Sequence, residues 1–251
     1  MCTVVILRRP DHRWPLILGT NRDEMKDRPW RPPGRHWPDR PEIVAGMDEL
    51  AGGSWLGIND TGVVAGALNR RESLGNDPTL RSRGELVLEA LGHADAVDAA
   101  HALSELDPRA YRSFNLFVAD NRDAYWLRSL GAAAERVELF EIPEGFSMLT
   151  AWGLNAPESA RTRHFLPLFE QSPPPDPDRN SWQGWKSLLA SRSFDAAAGP
   201  TEAMCVVTDR GFGTLSSSVL ALESPDTPNA RKIWQFSASP GATYGYRTVT
   251  M

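Results

Sequence analysis

Apolar residues in this chain recur mainly as short consecutive or alternating runs between turn-forming residues, and take up a helical spacing only in two pairs of segments. The first run, Cys2–Leu7, and the second, Leu16–Thr20, flank Arg9-Pro-Asp-His-Arg-Trp-Pro15, whose residues favour turns. They predict an antiparallel hairpin. With its loop centred near Asp11 and His12, facing residue numbers sum to roughly 23, which sets Cys2 beside Asn21, Arg22 and Asp23.

The same pattern predicts strands over Glu42–Gly46, Ser54–Ile58 and Val63–Leu68, the last two joined by the hairpin signal Asn59-Asp-Thr-Gly62. The third strand delivers Asn69 and is expected to pair near the first hairpin. Further strands are read at Ser113–Ala119 and Ala124–Leu127 around the turn Asp120–Asp123, at Arg136–Ile142, and finally at Met204–Thr208, Thr214–Leu222, Lys232–Phe236 and Tyr244–Val249. Helical signals come in pairs. Ser82-Arg-Gly-Glu85 has capping-box spacing ahead of Leu86, Leu88 and Leu91, and Asp95-Ala-Val-Asp98 opens a second helix ending near Leu106. A third runs from Asn155-Ala-Pro157 to about Phe169 and a fourth from Ser181 to about Ser191. Arg28–Pro41, dense in Pro, Trp and Arg, predicts a rigid irregular loop and the candidate lid. Its Trp30, His36 and Trp37 either line a ligand cleft or cover a sheet edge. Ser172–Asp178 reads as a stiff linker. Strands, two helices, strands, two helices, strands: this order indicates layered α+β architecture, two antiparallel sheets packed together with helices outside each, in a single domain over residues 1–251.

Composition narrows the function classes. A net charge of -5 over 251 residues, with no run of Lys and Arg interleaved with aromatics outside the Pro-rich loop, argues against nucleic acid as a partner. The first apolar run ends at Arg8-Arg9, too short for a signal peptide, and no stretch approaches the roughly 20 apolar residues of a membrane span. A soluble, cytoplasmic protein is expected. Cys2 and Cys205 form no CxxC pair and no disulfide scaffold, which suits a reducing compartment. The five histidines show no metal-ligand spacing, so no metal site is expected, and Gly211-Phe-Gly213 lacks the Lys and the helix of a phosphate loop.

The candidate chemistry lies in the first hairpin. Removal of Met1 is expected before a residue as small as Cys, and would give Cys2 a free α-amine. That amine titrates near about 8 and the thiol near about 8.5, so one residue could supply both nucleophile and base. Asn21-Arg22-Asp23-Glu24 follows an apolar strand directly; Asp23 could hold the N-terminal ammonium, and Arg22 could favour a thiolate or bind a substrate carboxylate. The plain alternatives are a small strand hydrophobe at Cys2 and a polar loop bonding its own backbone at 21–24. Asn69 reads either as an oxyanion donor or as a turn residue, and Asn155 either as such a donor or as a helix N-cap.

Met-Cys at the start, Leu-Gly-Thr-Asn-Arg-Asp-Glu at 18–24, Gly53-Ser-Trp-Leu-Gly-Ile58 and Asn69 resemble the NRDE family, the transport and Golgi organisation protein 2-like group named for residues 21 to 24. That family in turn resembles N-terminal nucleophile hydrolases, which implies a four-layer αββα fold. Penicillin V acylases and bile salt hydrolases carry Cys after Met and a Gly-Arg-Asn-x-Asp segment at the end of the second strand. Gly19-Thr-Asn-Arg-Asp23 is similar in its Gly, Asn and Asp, so the resemblance gives Asp23 the place near the nucleophile's amine. The arginine departs, standing two places later as Arg22, on the same strand face as Thr20 if the strand continues. Gly66-Ala-Leu-Asn69 and Leu154-Asn155-Ala-Pro157 resemble the two oxyanion segments. For the arginine such enzymes carry late in the chain there is no clear counterpart, Arg161 being the one candidate.

The resemblance implies hydrolysis of a linear amide, a non-peptide carbon–nitrogen bond in a small substrate, with Cys2, Asp23, Asn69 and Asn155 catalytic and Asn21, Arg22, Glu24 and Trp55 against the substrate. No cofactor is needed. A different class of function also follows from the family's link to haem trafficking: a carrier that binds haem as a ligand among aromatics such as Trp14, Trp30, Trp37 and Trp55, with Cys2 or a histidine as axial ligand. A third is an interaction module whose tetrad is structural. Oligomeric state is left open.

Overall fold

The computed structural model describes residues 2–71, 73, 77–238 and 245–251. The chain falls into two compact units, one holding the N-terminal segment to Arg28 with Pro143–Val249, the other Pro29–Ile142 with Thr250–Met251.

In the first unit, strands β1 (Thr3–Arg8) and β2 (Leu16–Met25) form the expected hairpin. The chain later adds strands at Gly145–Leu149, Phe212–Leu222, Lys232–Ser237 and Arg247–Thr248, which become β10, β11, β12 and β13 once the intervening unit is counted. All pair antiparallel in the order β10-β1-β2-β11-β12-β13. Residues 3–7 of β1 and 16–19 of β2 are entirely buried, as their aliphatic composition requires. Val5, Leu7, Ile17, Val219 and Ala221 share a core with Phe165 and Phe169 of a helix at Ala160–Gln171 (α3) and with Trp185 and Leu189 of a helix at Gln183–Leu189 (α4).

The second unit is a seven-stranded meander, β3 (Trp30–Gly34), β4 (Ile43–Asp48), β5 (Leu56–Asn59), β6 (Val64–Asn69), β7 (Phe114–Ala119), β8 (Ala124–Ser129) and β9 (Glu138–Glu141), each strand beside the next. Helices α1 (Gly84–Ala90) and α2 (Ala96–Ser104) bury Leu86, Val87, Leu91, Ala99 and Leu103 against Ile43, Ala65, Leu116, Val118 and Leu127. The turn residues do what their chemistry suggests. Asn59 Oδ1 accepts from the backbone N–H of Gly62 (2.9 Å) and Val63 (2.8 Å), and Asp120 closes the β7–β8 turn while its Oδ2 takes the N–H of Ala96 at the start of α2. Among the described residues, two antiparallel sheets and four α-helices therefore give the α+β class expected from the element order.

Five expectations are corrected. The Pro-rich segment is no irregular loop: residues 30–34 form an edge strand, and Pro32 and Pro33 fall where the register with β4 shifts, a place where a missing N–H costs nothing. The strand at β10 is absent from the sequence reading because Gly-Phe-Ser-Met-Leu has no β-branched residue. Met204–Thr208 forms no strand, only an isolated bridge from Val207 to Gly213. Helix α3 starts at Ala160, capped by Ser159, whose Oγ accepts from Thr162 N; Asn155 is not its cap. The strand ending in Asn69 pairs with β5 and β7, and the first hairpin lies in the other sheet. Tyr244 and Met1 lie outside the described residues.

One charged cluster gathers at a single end of the first sheet, where β11 ends, β12 begins and the β1–β2 turn lies. Glu223, just past β11, accepts from Arg13 (3.1 Å) and from Arg231 (2.8 Å), while Arg231 also bonds Asp178. Hydrogen bonding from Arg231 pulls the Glu223 carboxyl down to about 2. A folded value below the unfolded one, about 4.3, means that this stabilisation is complete above the unfolded value and is lost as pH falls toward 2. Glu223→Gln is expected to lower the melting temperature at pH 7 and to flatten its fall between about pH 5 and 2, read by melts across that range. An unaltered acid limb would contradict this.

Candidate active site

The hairpin register is Thr3↔Asn21 and Val4↔Thr20, a sum of 24 against the expected 23 or so. Cys2 immediately precedes β1. Its Sγ donates to the backbone carbonyl of Asp23 at 3.6 Å, across a turn-linked separation of 21 residues. The tetrad is strand, not loop, because β11 runs eleven residues and pairs with β2 to its end, Thr214 facing Asp23 and Gly213 facing Glu24 past a bulge after Thr214. Strand alternation then sorts the polar side chains. Gly19, Asn21 and Asp23 face α3 and α4: a Cβ on Gly19 would lie 3.0 Å from the Trp185 ring, and Asn21 and Asp23 bond partners on that side. Thr20 and Arg22 lie on the opposite face. Thr3 bonds Arg161 of α3, so Cys2, one residue earlier, falls on the face of Arg22.

Asp23 is held from two directions. Its Oδ1 accepts from Thr214 Oγ1 (2.6 Å) and its Oδ2 pairs with Arg161 Nη1 (3.2 Å). Arg161, 2 % exposed, also donates to Thr3 Oγ1 (2.6 Å) and to the carbonyl of Thr201 (2.7 Å), and Thr214 Oγ1 accepts from Val206 N. This buried ion pair is thus surrounded by further hydrogen bonds, as a buried pair must be to stand. Burial, and then the negative charge of Asp23, push the half-buried Cys2 thiol above its ordinary value, against the opposing pull of the Asp23 backbone bond and Arg22. Cys205 is buried and raised as well, chiefly by desolvation.

The other expected site residues are placed as follows. Asn21 is fully buried and spends both amide hydrogens on the carbonyls of Leu189 and Met204, at 2.8 Å each, which locks β2 to the chain around α4. Glu24 accepts from its neighbour's Met25 N and lies 3.8 Å from Arg28. Asn155 adopts a left-handed backbone (φ 52°), accepts Met148 N at its Oδ1 (2.7 Å) and donates one amide hydrogen to Ser147 Oγ (3.2 Å). Asn69 and Trp55 belong to the second unit. Asn69 ends β6 opposite Phe114, on the face of Ala65 and Ala67. Trp55 meets Trp30 edge-on at 5.7 Å and packs over Gly46, where a Cβ would come within 2.3 Å of its ring. The cluster of Cys2, Arg22, Asp23 and Arg161 is assembled within one unit. Thr3 and Thr214 were missed: Thr214 is 191 residues from Asp23, and only β11 pairing brings it there. Among the described residues no group of three or more His, Cys, Asp and Glu could hold a metal, and no helix is long and apolar enough to cross a membrane.

The profile of the family described as Transport and Golgi organisation 2 matches residues 1–173. The chain belongs to this family. Comparison with curated proteins gives no match. Among solved structures, the chain is similar to a Caenorhabditis elegans ortholog of N-acylethanolamine-hydrolyzing acid amidase, with TM-score 0.51 and 15% identity, over 91% of this chain and 95% of that one. It is likewise similar to a mutant conjugated bile acid hydrolase from Clostridium perfringens, with TM-score 0.51 and 11% identity, over 100% and 97%. Penicillin V acylase from Agrobacterium tumefaciens matches at TM-score 0.48 and 14% identity, over 100% and 98%. At these identities the likeness is one of fold, that of N-terminal nucleophile hydrolases. This family member thus has the α+β class, with two antiparallel sheets, that the order of its elements led one to expect.

Proposed function

We propose that the chain is an amidohydrolase in which Cys2, made N-terminal by removal of Met1, attacks a linear, non-peptide carbon–nitrogen bond of a small substrate. The observation that carries this reading is the meeting of the Cys2 thiol with the end of β2, 3.6 Å from the carbonyl of Asp23, whose carboxylate is buried in an ion pair with Arg161. The likeness in fold to amide hydrolases supports it.

A thiol raised above its ordinary value is protonated at neutral pH and needs a base as it attacks. The α-amine of Cys2 is that base. It takes the thiol proton while sulfur bonds to the carbonyl carbon, and the proton then passes to the departing nitrogen as the C–N bond breaks. Water adds to the resulting thioester, its proton goes to the amine and on to the sulfur, and the acid leaves. Asp23 favours the protonated amine, and Arg22, on the face of Cys2, binds a polar group of the substrate. Asn155 uses one amide hydrogen on Ser147, and its other is the proposed oxyanion donor. Its left-handed backbone is a constrained conformation of the kind that marks functional positions.

Incubation with an activated ester, followed by intact-mass and peptide-mass spectrometry, tests the reading. An acyl adduct on Cys2 of a chain lacking Met1 is expected. A chain that keeps Met1, or that acylates Cys205 in preference, removes it. Asn155→Ala is expected to lower kcat by about 10²-fold with little change in KM.

A further inference from the structure

The face of the second sheet that turns away from α1 and α2 carries a polar and aromatic cluster of its own. Leu116, Val118, Leu127 and Leu139 pack toward the helices, so Asn115, Phe117, Trp126, Arg128, Glu138 and Phe140 lie on the other side. Cross-strand register makes two rows of them, Asn115–Arg128–Glu138 and Phe117–Trp126–Phe140. Trp126 and Phe140 stack at 4.9 Å, and the Arg128 guanidinium sits 5.6 Å and 5.5 Å from their ring centres. Arg128 is bound through Nε and Nη2 to both oxygens of Glu138, at 2.7 and 2.9 Å.

Arg70, one residue beyond β6, reaches the same cluster. Its Nη1 donates to Asn115 Oδ1 (2.8 Å), the oxygen that also takes the Trp126 indole N–H (3.2 Å), so guanidinium and indole are adjacent. Arg70 is half-buried, and among the described residues no carboxylate lies within ion-pair distance of it; Glu138 is spent on Arg128. Burial first, and then the charge of Arg128, pull the Arg70 guanidinium down, and Arg136 adds further positive charge around Glu138. Arg128 is thus the guanidinium paired with Glu138, and Arg70 stands beside it with its Nη1 on Asn115 and, among the described residues, no ion pair of its own. A cationic fork beside a stacked aromatic pair is matched by a planar acid: two oxygens for the fork, an apolar body for the rings.

We propose that Arg70, with Asn115, Arg128 and the Trp126–Phe140 stack, forms a binding site for a small aromatic carboxylate, whether or not Cys2 is a nucleophile. Calorimetric titration of the full-length chain with sodium benzoate, and with benzamide as the uncharged isostere, tests this. Saturable benzoate binding is expected, with benzamide at least about tenfold weaker and Arg70→Gln weakening benzoate at least about tenfold. No saturable benzoate binding, equal affinity for benzamide, or wild-type affinity in Arg70→Gln overturns the proposal. Should Arg70→Gln not fold, Arg70→Lys, which keeps the charge but not the fork, is expected to bind benzoate several-fold more weakly, and unchanged affinity in it counts equally against the site.

Discussion

Cys2→Ala is expected to abolish amide turnover, a fall in kcat of about 10³-fold or more, with the melting temperature nearly unchanged. The size of the loss follows from the proposed division of labour. Without sulfur there is no covalent intermediate, and the α-amine alone has no thiol proton to move. The small effect on stability follows from position: Cys2 precedes β1, is half-buried, and among the described residues its thiol makes the weak 3.6 Å contact to the Asp23 carbonyl. A chain extended by one residue ahead of Cys2 should be as inactive as the alanine variant, because the amine is displaced by one residue's length, about 3.5 Å, while the sulfur is retained. Cys205→Ala is the control and should keep full activity. Wild-type kcat in Cys2→Ala on an activated-amide panel would end the proposal.

Breaking the Asp23–Arg161 pair is expected to have the largest effect on stability. Arg161→Met leaves the Asp23 carboxylate buried beside an apolar chain in place of its guanidinium partner, and strips Thr3 and the Thr201 carbonyl of their shared donor. The penalty for removing one partner of such a buried pair is about 3–5 kcal/mol, read as a drop in the urea midpoint. Replacing both residues, Asp23→Leu with Arg161→Met, should recover part of that loss, since no lone charge is then buried. A single-variant effect under about 1 kcal/mol would mean that the pair is solvated and would also weaken the mechanistic use made of Asp23.

The candidate site was legible in the sequence as far as local chemistry reaches. The loop at 9–15 and the two flanking apolar runs fixed the hairpin register to within one, and this alone set Cys2 against residues 22 and 23. Asn59, Asp120 and Asp95 each declared a turn or cap that the structure contains, because those side chains act within two to four residues of themselves. Asn21 carried no such signal. It is indistinguishable in sequence from its polar neighbours, yet alternation turns it inward to two carbonyls 168 and 183 residues away. Asn155 likewise resembled a cap and instead clamps β10, a strand whose composition did not announce it.

Residues within a few positions of one another settled the elements of this protein: aliphatic runs, turn side chains and helix caps write themselves into the sequence, because their energetics are local or are set by burial alone. Which strand lies beside which, that β11 extends β2 through the tetrad, that Arg161 and Thr214 hold Asp23, and that Arg70 and Trp126 share one oxygen were decided only by tertiary structure. Each of those depends on pairing segments far apart in the chain, and no local preference specifies the partner.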